Sequence, residues 1–254
     1  MSAVRPPLPI RLWYLLFYYA ALLFFALGSA GYNFVALILC RLPLSVDRQR
    51  FFQGVVRRLL ALYVSVLRAS GAMHTRFPDW ERMAEYPGGL ILANHPSILD
   101  APLILARQER VICFFKSSLR RHLLTGAGAR LAGFIGNDSG IEGVRAAVEH
   151  IRQGGWVLLF PEGTRTTGKT LLPFHSGYAL IAARARCPIV CLHVHTDSNA
   201  LTKNLPFWKA PRLPAIFTVR ILGVVEAGEK RTSADWVEAV EAVYQDAPPS
   251  PLPA

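Results

Sequence analysis

The feature that most constrains this chain is a stretch without a charged residue, from Leu12 to Cys40. A helix needs about 20 apolar residues to cross the ~30 Å hydrocarbon core of a bilayer, so the stretch is long enough to span one. Gly28-Ser29-Ala30-Gly31 interrupts it, which leaves two interpretations open: one tilted helix, or a hairpin of two short helices in one leaflet. A cleaved signal peptide is a further alternative, but the apolar residues continue well past the small ones. The sequence therefore predicts a membrane anchor over residues 1–45.

The charge of the chain indicates its partners and its orientation. Lys and Arg number 28 against 17 Asp and Glu, a net charge of +11, and 52% of the residues are hydrophobic. This combination favours an acidic membrane surface over nucleic acid, for which no recognisable binding module is present. Two arginines precede the uncharged stretch and six follow it closely: Arg5 and Arg11, then Arg41, Arg48, Arg50, Arg57, Arg58 and Arg68. The positive-inside rule then places the bulk of the chain on the cytoplasmic side of the inner (cytoplasmic) membrane.

Short apolar runs alternate with helical patterns through the rest of the chain. Strands are predicted at 89–93, 111–115, 156–160, 189–194 and 216–222. Helices are predicted near 46–73, 97–106, 117–132, 141–153, 176–185 and 234–244, with capping-box patterns that begin at Ser139 and Thr232. Such alternation indicates an α/β domain with a largely parallel central sheet flanked by helices. We expect this domain over 46–246 and a disordered, proline-rich tail over 247–254.

The cysteines and histidines do not predict a metal site. The four cysteines, Cys40, Cys113, Cys187 and Cys191, contain no C-x-x-C pair, and nothing in their spacing suggests a disulfide framework. His193 and His195 alternate along the run that holds the last two cysteines, but no second cluster at ligand spacing accompanies them. We therefore expect small buried hydrophobic side chains in a reducing compartment, and no metal.

A histidine and an aspartate follow the first predicted strand, in the motif Asn94-His95-Pro96-Ser97-Ile98-Leu99-Asp100. Ligands of open α/β sheets bind at the carboxyl ends of the strands. If the His95 ring folds back onto Asp100, the carboxylate fixes its tautomer and stabilises the imidazolium, which suits the pair to activating a hydroxyl. The alternative is structural, because Ser97 to Asp100 is itself a capping-box pattern.

A second polar cluster follows the third predicted strand, in Phe160-Pro161-Glu162-Gly163-Thr164-Arg165. Gly163 allows a tight turn, and the planar guanidinium of Arg165 matches a phosphate or a carboxylate. Glu162 can orient Arg165 or hold a substrate hydroxyl. An ordinary turn with a surface ion pair is the alternative. Two such clusters at the ends of neighbouring strands predict one shared site.

Together the two motifs resemble the first and third signature blocks of the glycerolipid acyltransferases, of the 1-acylglycerol-3-phosphate acyltransferase type. Cys187-Pro188-Ile189-Val190 is similar to the fourth block. The stretch that corresponds to the second block, Gly133 to Asp138, lacks the arginine usual in the family, and Asp138 would repel a phosphate. Leu201 to Trp208 is similar to acyltransferases found in bacterial aryl-polyene pigment clusters.

The resemblance implies a membrane-anchored O-acyltransferase that moves an acyl group from a thioester, acyl-CoA or acyl carrier protein, to the hydroxyl of a lysophospholipid-like acceptor. It implies no further cofactor. His95 would act as general base with Asp100 orienting it, and N–H groups at the following helix start would meet the oxyanion. The anionic head and the glycerol of the acceptor would be held by residues of the second motif: Glu162, Gly163, Thr164 and Arg165. Lys116, which follows the second predicted strand, would be a further contact for an anion.

Three rival interpretations stay open from the sequence. The acceptor can be a lyso-lipid other than lysophosphatidate, such as an aryl-polyene or amino-acid lipid. A lipid hydrolase is a second rival, although the chain has no Gly-x-Ser-x-Gly nucleophile elbow. A basic lipid-binding protein without turnover is the third. The sequence predicts membrane lipids and a thioester carrier as partners, and predicts no oligomeric state.

Overall fold

The computed structural model describes residues 6–41, 45–118, 126–167, 171–203, 205–228, 231–245 and 247. Its strands are β1 (Met73–Arg76), β2 (Gly89–Ala93), β3 (Val111–Phe115), β4 (Ile135–Gly136), β5 (Trp156–Leu159), β6 (Ile189–Thr196) and β7 (Ala215–Val225). Its helices are α1 (Leu8–Leu39), α2 (Val46–Ala69), α3 (Asp100–Arg107), α4 (Gly126–Leu131), α5 (Gly140–Arg152), α6 (Gly177–Ala185) and α7 (Ser233–Gln245), with a 3-10 helix at Trp80–Glu85.

The strands form one sheet in the order β1-β7-β6-β2-β5-β3-β4. All neighbours pair in parallel except β6 and β7, which are antiparallel. Five strands therefore share one direction, while the edge strand β1 and its neighbour β7 run the opposite way. The predicted α/β fold with a largely parallel sheet is confirmed. The carboxyl ends of β2, β5, β3 and β6 consequently meet at one edge of the sheet, called the carboxyl edge below.

Helices cover both faces of the sheet, which is why its central strands are continuous apolar runs. Every residue of β2 is buried. Ile91 and Ala93 pack into the core beneath α1, α2 and α3, whereas Leu90 and Leu92 pack into the core beneath α5, α6 and α7. Because successive side chains point to opposite faces, a strand between two helix layers must be apolar at every position.

Two strands were not predicted, and both lack an apolar run. β1 reads Met73-His74-Thr75-Arg76 and is an edge strand, so its outward side chains are polar. β4 has only two residues. The helix predicted to continue to Met73 ends at Ala69, because Gly71 adopts a left-handed conformation with φ of 76°.

One predicted capping box is confirmed and the other is wrong. The N–H of Thr232 donates to Asp235 at 2.7 Å, and the N–H of Asp235 donates to the Thr232 hydroxyl at 3.3 Å. Ser139 precedes α5 in a helical conformation and its side chain makes no capping hydrogen bond. Residues 119–125 of the helix predicted at 117–132 lie outside the described residues, as do positions 248–254 of the predicted tail.

The N-terminal apolar stretch forms a single helix of 32 residues, α1. It is the one helix within the described ranges that is long and apolar enough to cross a membrane. The break expected for a hairpin at Gly28 to Gly31 does not form. A glycine inside a helix costs about 1 kcal/mol but does not oblige it to stop.

The helix α1 packs antiparallel along α2 and also contacts α4. Near its start, the Trp13 indole N–H donates to the Ser70 carbonyl at 3.1 Å. Near its end, the N–H of Gly128 in α4 donates to the Asn33 side chain at 2.8 Å. One face of α1 is thereby fixed to the α/β domain. The opposite face is apolar and exposed: Leu8, Leu12, Leu16, Leu23, Leu27, Phe34 and Ile38.

The close approach of α1 and α4 predicts opposite effects for two glycine substitutions. In Gly128→Ala the new Cβ overlaps the ring of Tyr32, whereas Gly31 has open space around the same position. We expect Gly128→Ala to lower the free energy of unfolding by about 1–3 kcal/mol, the usual cost of overpacking. Gly31→Ala should leave it unchanged or raise it by about 0.5–1 kcal/mol. Denaturant unfolding in detergent micelles measures both, and equal effects would contradict the packing of α1 on α4.

Candidate active site

His95 and Asp100 form a hydrogen-bonded pair at the carboxyl edge. β2 ends at Ala93 and α3 begins at Asp100, so the intervening turn folds the His95 ring back onto the first residue of the helix. Nδ1 of His95 lies 3.0 Å from Oδ2 of Asp100. Asp100 is completely buried, while 19% of the His95 side chain is exposed. With Nδ1 engaged by the carboxylate, Nε2 is the ring nitrogen left for a ligand.

The Asp100 carboxylate has two tasks. Its Oδ2 also accepts the N–H of Ser97 at 2.7 Å, as the capping-box pattern predicts. The reciprocal bond does not form, because the Ser97 hydroxyl accepts the N–H of Leu99 at 3.2 Å and the N–H of Asp100 donates to the Ser97 carbonyl at 3.2 Å. Burial raises the pKa of the Asp100 carboxyl, and the hydrogen bonds from His95 and Ser97 oppose that rise.

The N–H groups at this helix start are already used within the protein. Those of Ser97, Ile98, Leu99 and Asp100 donate to Asp100, Leu201, Ser97 Oγ and the Ser97 carbonyl, respectively. None of these four groups has a free hydrogen in this conformation, and the contact of the helix start with an oxyanion stays a prediction.

The loop after β5 holds the backbone of His95 in place. The N–H of His95 is shared between Glu162 Oε1 and Thr166 Oγ1, each at 3.2 Å, and its carbonyl accepts the N–H of Thr166 at 2.8 Å. The Phe160 ring stacks on the imidazole with centroids 4.1 Å apart. β2 and β5 are adjacent and parallel, so the two motifs lie side by side. The arrangement fixes both the position and the plane of the imidazole.

Asn94 anchors the other side of the same turn to β6. Its side-chain amide donates to the carbonyl of Val194 at 2.9 Å, and its side-chain oxygen accepts the N–H of Val194 at 2.6 Å. The amide thus continues the pairing of β2 with β6 one residue beyond the strand. The direction in which the chain leaves β2 towards His95 is set by this pair of bonds.

Glu162 is a buried carboxylate whose two oxygens are both occupied. Oε1 accepts the Thr166 hydroxyl at 2.6 Å, and Oε2 accepts the N–H of Leu172 at 3.0 Å. Only 3% of the residue is exposed. Among the described residues it forms no ion pair with Arg165. The structure therefore gives Glu162 a role in positioning His95, and its predicted contact with a substrate hydroxyl stays a prediction.

Arg165 and Lys203 supply positive charge beside the pair. The Arg165 guanidinium donates to the Leu201 carbonyl at 3.0 Å. Burial lowers the pKa of Arg165, and the charge of nearby Asp100 opposes that shift. The ammonium of Lys203 lies 3.4 Å from the Thr164 hydroxyl. The sequence motifs pointed to Thr164 and Arg165 but missed Lys203, because it lies on a separate loop that only the fold brings to the site.

Two further predicted residues lie at the carboxyl edge. Gly163 adopts a left-handed conformation with φ of 65°, and a Cβ there would come within 3.0 Å of the His175 ring, so both conformation and space require glycine. Lys116 follows β3, which β5 separates from β2. It forms no ion pair with the described residues, and its anion contact stays a prediction.

An apolar cavity of about 250 Å³ lies between α1, α2 and α3. Its wall is hydrocarbon and aromatic, and includes Phe25, Tyr63, Pro102, Leu105, Phe115 and Phe134. Pro102 and Leu105 belong to α3, the helix that begins with Asp100. A space for an apolar chain therefore lies next to the helix that carries the aspartate of the pair.

The cysteines and the remaining histidines form no comparable cluster. Cys113, Cys187 and Cys191 are buried, and burial raises the pKa of each thiol to about 12. Burial lowers the pKa of His193 to about 4. The described part of the chain contains no group of three or more His, Cys, Asp or Glu residues that can hold a metal ion.

The family model and the two relatives that match this chain are all acyltransferases. Residues 74–195 match the model of the acyltransferase family. The 1-acyl-sn-glycerol-3-phosphate acyltransferase of Saccharomyces cerevisiae is 28% identical over 194 residues, which cover 72% of this chain and 61% of the yeast protein. That of Cocos nucifera is 25% identical over 231 residues, or 85% of this chain and 69% of the coconut protein. The chain thus spans about three fifths to two thirds of these relatives.

The fold also matches a solved structure. The crystal structure of the 1-acyl-sn-glycerophosphate (LPA) acyltransferase PlsC from Thermotoga maritima superposes with a TM-score of 0.65 at 20% identity. The superposition covers 94% of each chain. The likeness therefore extends from the α/β domain to the N-terminal helices.

The buried contacts of Glu162 predict that its charge is needed for stability. In Glu162→Gln an amide NH₂ group replaces a carboxylate oxygen that accepts a hydrogen bond in the wild type, so a donor faces a donor. This substitution should lower the free energy of unfolding by about 1–3 kcal/mol. Glu142→Gln is the matched control, because Glu142 pairs with Arg145 on the surface, where ion pairs contribute little. Urea unfolding of both variants measures the difference. Equal stabilities would contradict the positioning role of Glu162.

Proposed function

We propose that this chain, whose residues 74–195 match the acyltransferase family model, is a membrane-associated O-acyltransferase of the 1-acylglycerol-3-phosphate type. The acyl donor is a thioester, acyl-CoA or acyl carrier protein, and the acceptor is a lysophospholipid-like hydroxyl. The observation that carries this proposal is the His95–Asp100 pair at 3.0 Å, which leaves Nε2 of the imidazole for the acceptor hydroxyl. A carboxylate-oriented imidazole is the arrangement that a general base for a hydroxyl requires.

The reaction follows from that arrangement. Nε2 of His95 removes the proton of the acceptor hydroxyl, and the oxygen attacks the carbonyl carbon of the thioester. A new C–O ester bond forms, the C–S bond breaks, and the leaving thiolate takes the proton back from the imidazolium. Nδ1 of His95 keeps its proton throughout and donates a hydrogen bond to Asp100, whose carboxylate stabilises the charged ring. No acyl-enzyme is needed.

The anionic head of the acceptor is held by Arg165 and Lys203. Both cations approach the same short loop, since Lys203 reaches Thr164 and Arg165 is the next residue. The segment from Gly133 to Asp138, which lacks the arginine of the second block, lies at β4, three strands away from β2. In this chain Lys203 therefore supplies a second positive charge close to His95. This charge favours a phosphate-bearing acceptor over an uncharged one.

The apolar cavity accounts for binding of the acyl chain, and the exposed apolar face of α1 accounts for the location at the membrane. The cavity beside α3 is lined by hydrocarbon and accepts an acyl chain. The exposed apolar face of α1 binds the bilayer in which acceptor and product reside, while its other face stays on the α/β domain. We place the protein at the inner (cytoplasmic) membrane with the site on the cytoplasmic side, as the distribution of arginines predicts.

Removing the base should abolish turnover without loss of structure. His95→Ala is expected to lower kcat by at least about 10²-fold, the scale of general-base catalysis. Asp100→Asn should also lower kcat, because the amide no longer holds the required tautomer. His74→Ala, at an exposed position of β1, is the control and should retain activity. Thiol release from acyl-CoA in the presence of lysophosphatidate measures all three, with circular dichroism as the check on folding.

The same assay separates the rival functions. Folded His95→Ala protein with wild-type turnover would contradict the general-base assignment. A hydrolase would release free fatty acid in the wild type without an acceptor. A lipid-binding protein would show no turnover for His95→Ala to remove.

Substitution of the two cations should weaken acceptor binding more than chemistry. Arg165→Ala and Lys203→Ala are each expected to raise the acceptor KM with a smaller effect on kcat, since each removes a contact to the ground-state head group. Arg145→Ala, in a surface ion pair on α5, is the matched control. Initial rates over a range of lysophosphatidate concentrations give both constants. An unchanged KM in both variants would exclude these cations from the head-group site.

A further inference from the structure

Two large aromatic side chains project into solvent from the β6–β7 loop, residues 197–214. Phe207 is 65% exposed and Trp208 is 68% exposed. Their rings contact each other edge to face, with centroids 5.1 Å apart. Such side chains are usually buried in soluble domains, and an exposed cluster of them marks an interaction surface.

The charges around the pair identify the kind of partner. Lys209 follows it directly and Arg212 lies three residues further on, and both are exposed. Neither forms an ion pair with the residues that the structure describes. Aromatic side chains with lysine and arginine beside them are typical of the membrane–water interface, where the rings enter the headgroup layer and the cations meet anionic lipid.

The β6–β7 loop lies at the same corner of the molecule as the start of α1. It leads into β7, whose first residue, Ala215, donates its N–H to the carbonyl of Ala72 at 2.9 Å. Ala72 directly follows the Ser70-Gly71 turn against which Trp13 and Tyr14 of α1 pack. The end of the β6–β7 loop and the start of α1 therefore lie at the same end of the paired strands β1 and β7.

The loop is also part of the wall of the active site. The Ala200 carbonyl accepts the Ser97 hydroxyl at 2.8 Å, and the Leu201 carbonyl accepts the Arg165 guanidinium at 3.0 Å. Any surface that holds the tip of the loop consequently lies close to the mouth of the site.

We propose that Phe207 and Trp208 form a second bilayer contact, separate from α1, which inserts into the headgroup layer of an anionic membrane and sets the active-site mouth against the lipid surface. The contact requires only the loop and the lipid. It is measured without substrate, so its failure and the failure of the proposed acyl transfer are distinguishable.

The test is the depth of Trp208 in a bilayer. Full-length wild type and Trp208→Phe are reconstituted into phosphatidylcholine–phosphatidylglycerol vesicles, with and without brominated acyl chains. The difference between the two proteins isolates the emission of Trp208 from that of the other four tryptophans. We expect this emission to be quenched by brominated lipid and protected from aqueous iodide. Quenching by iodide with none by brominated lipid would overturn the proposal.

A second pair of variants tests the consequence for the site. Phe207→Ala combined with Trp208→Ala should lose activity on an acceptor embedded in vesicles while retaining it on a short-chain acceptor dissolved in water. Ile141→Ala is the control, because Ile141 is 52% exposed but lies on α5, which follows β4, the last strand at the other end of the strand order from β1 and β7. Protection of Trp208 from iodide that requires added acyl carrier protein, or a second copy of the chain at high concentration, would contradict a lipid contact.

Discussion

The site depends on the hydrogen bonds that join the loop after β2 to the loop after β5. Glu162 and Thr166 share the N–H of His95, and Thr166 returns a bond to the His95 carbonyl. These bonds fix the backbone of His95, and Asp100 then fixes its ring. A buried carboxylate held by three donors is rigid because moving any of them leaves a charge unpaired in the interior. The position of the His95 imidazole is thus set by hydrogen bonds to Glu162, Thr166 and Asp100 within the protein.

The N-terminal helix α1, like the central sheet, has two apolar faces, and each face requires an apolar partner. An apolar helix with one face packed and the other exposed needs a second apolar partner, which a bilayer provides. Because α1 is held at both ends, by Ser70 and by Gly128, the bilayer contact that we propose for its exposed face would hold the α/β domain in a fixed orientation. The β6–β7 loop forms part of the wall of the site, and β7, which follows the loop, pairs with β1 near the start of α1.

The sequence predicted the central strands, the two motifs and an apolar N-terminal anchor, because each is a local pattern of residues, but it left a single helix and a helical hairpin open. It missed β1 and β4, which are too polar or too short to give an apolar run. It also missed Lys203 and Thr166. Lys203 is distant in the chain from its partner Thr164, and only the order of the strands brings the two together. The sequence also missed the bond from Glu162 to the backbone of His95, since two of the three donors to Glu162 are backbone N–H groups that no motif reveals.

In the reaction that we propose, the His95 imidazole removes the proton of a lipid hydroxyl, and that oxygen takes the acyl group directly from a thioester. The most direct measurement is mass spectrometry of lipids, combined with thiol titration, for purified protein given acyl-CoA or acyl carrier protein with and without lysophosphatidate. Direct transfer with His95 as general base predicts that thiol is released only when the acceptor is present, with one new ester formed for each thiol and no free fatty acid. Thiol and free fatty acid appearing without the acceptor would contradict it.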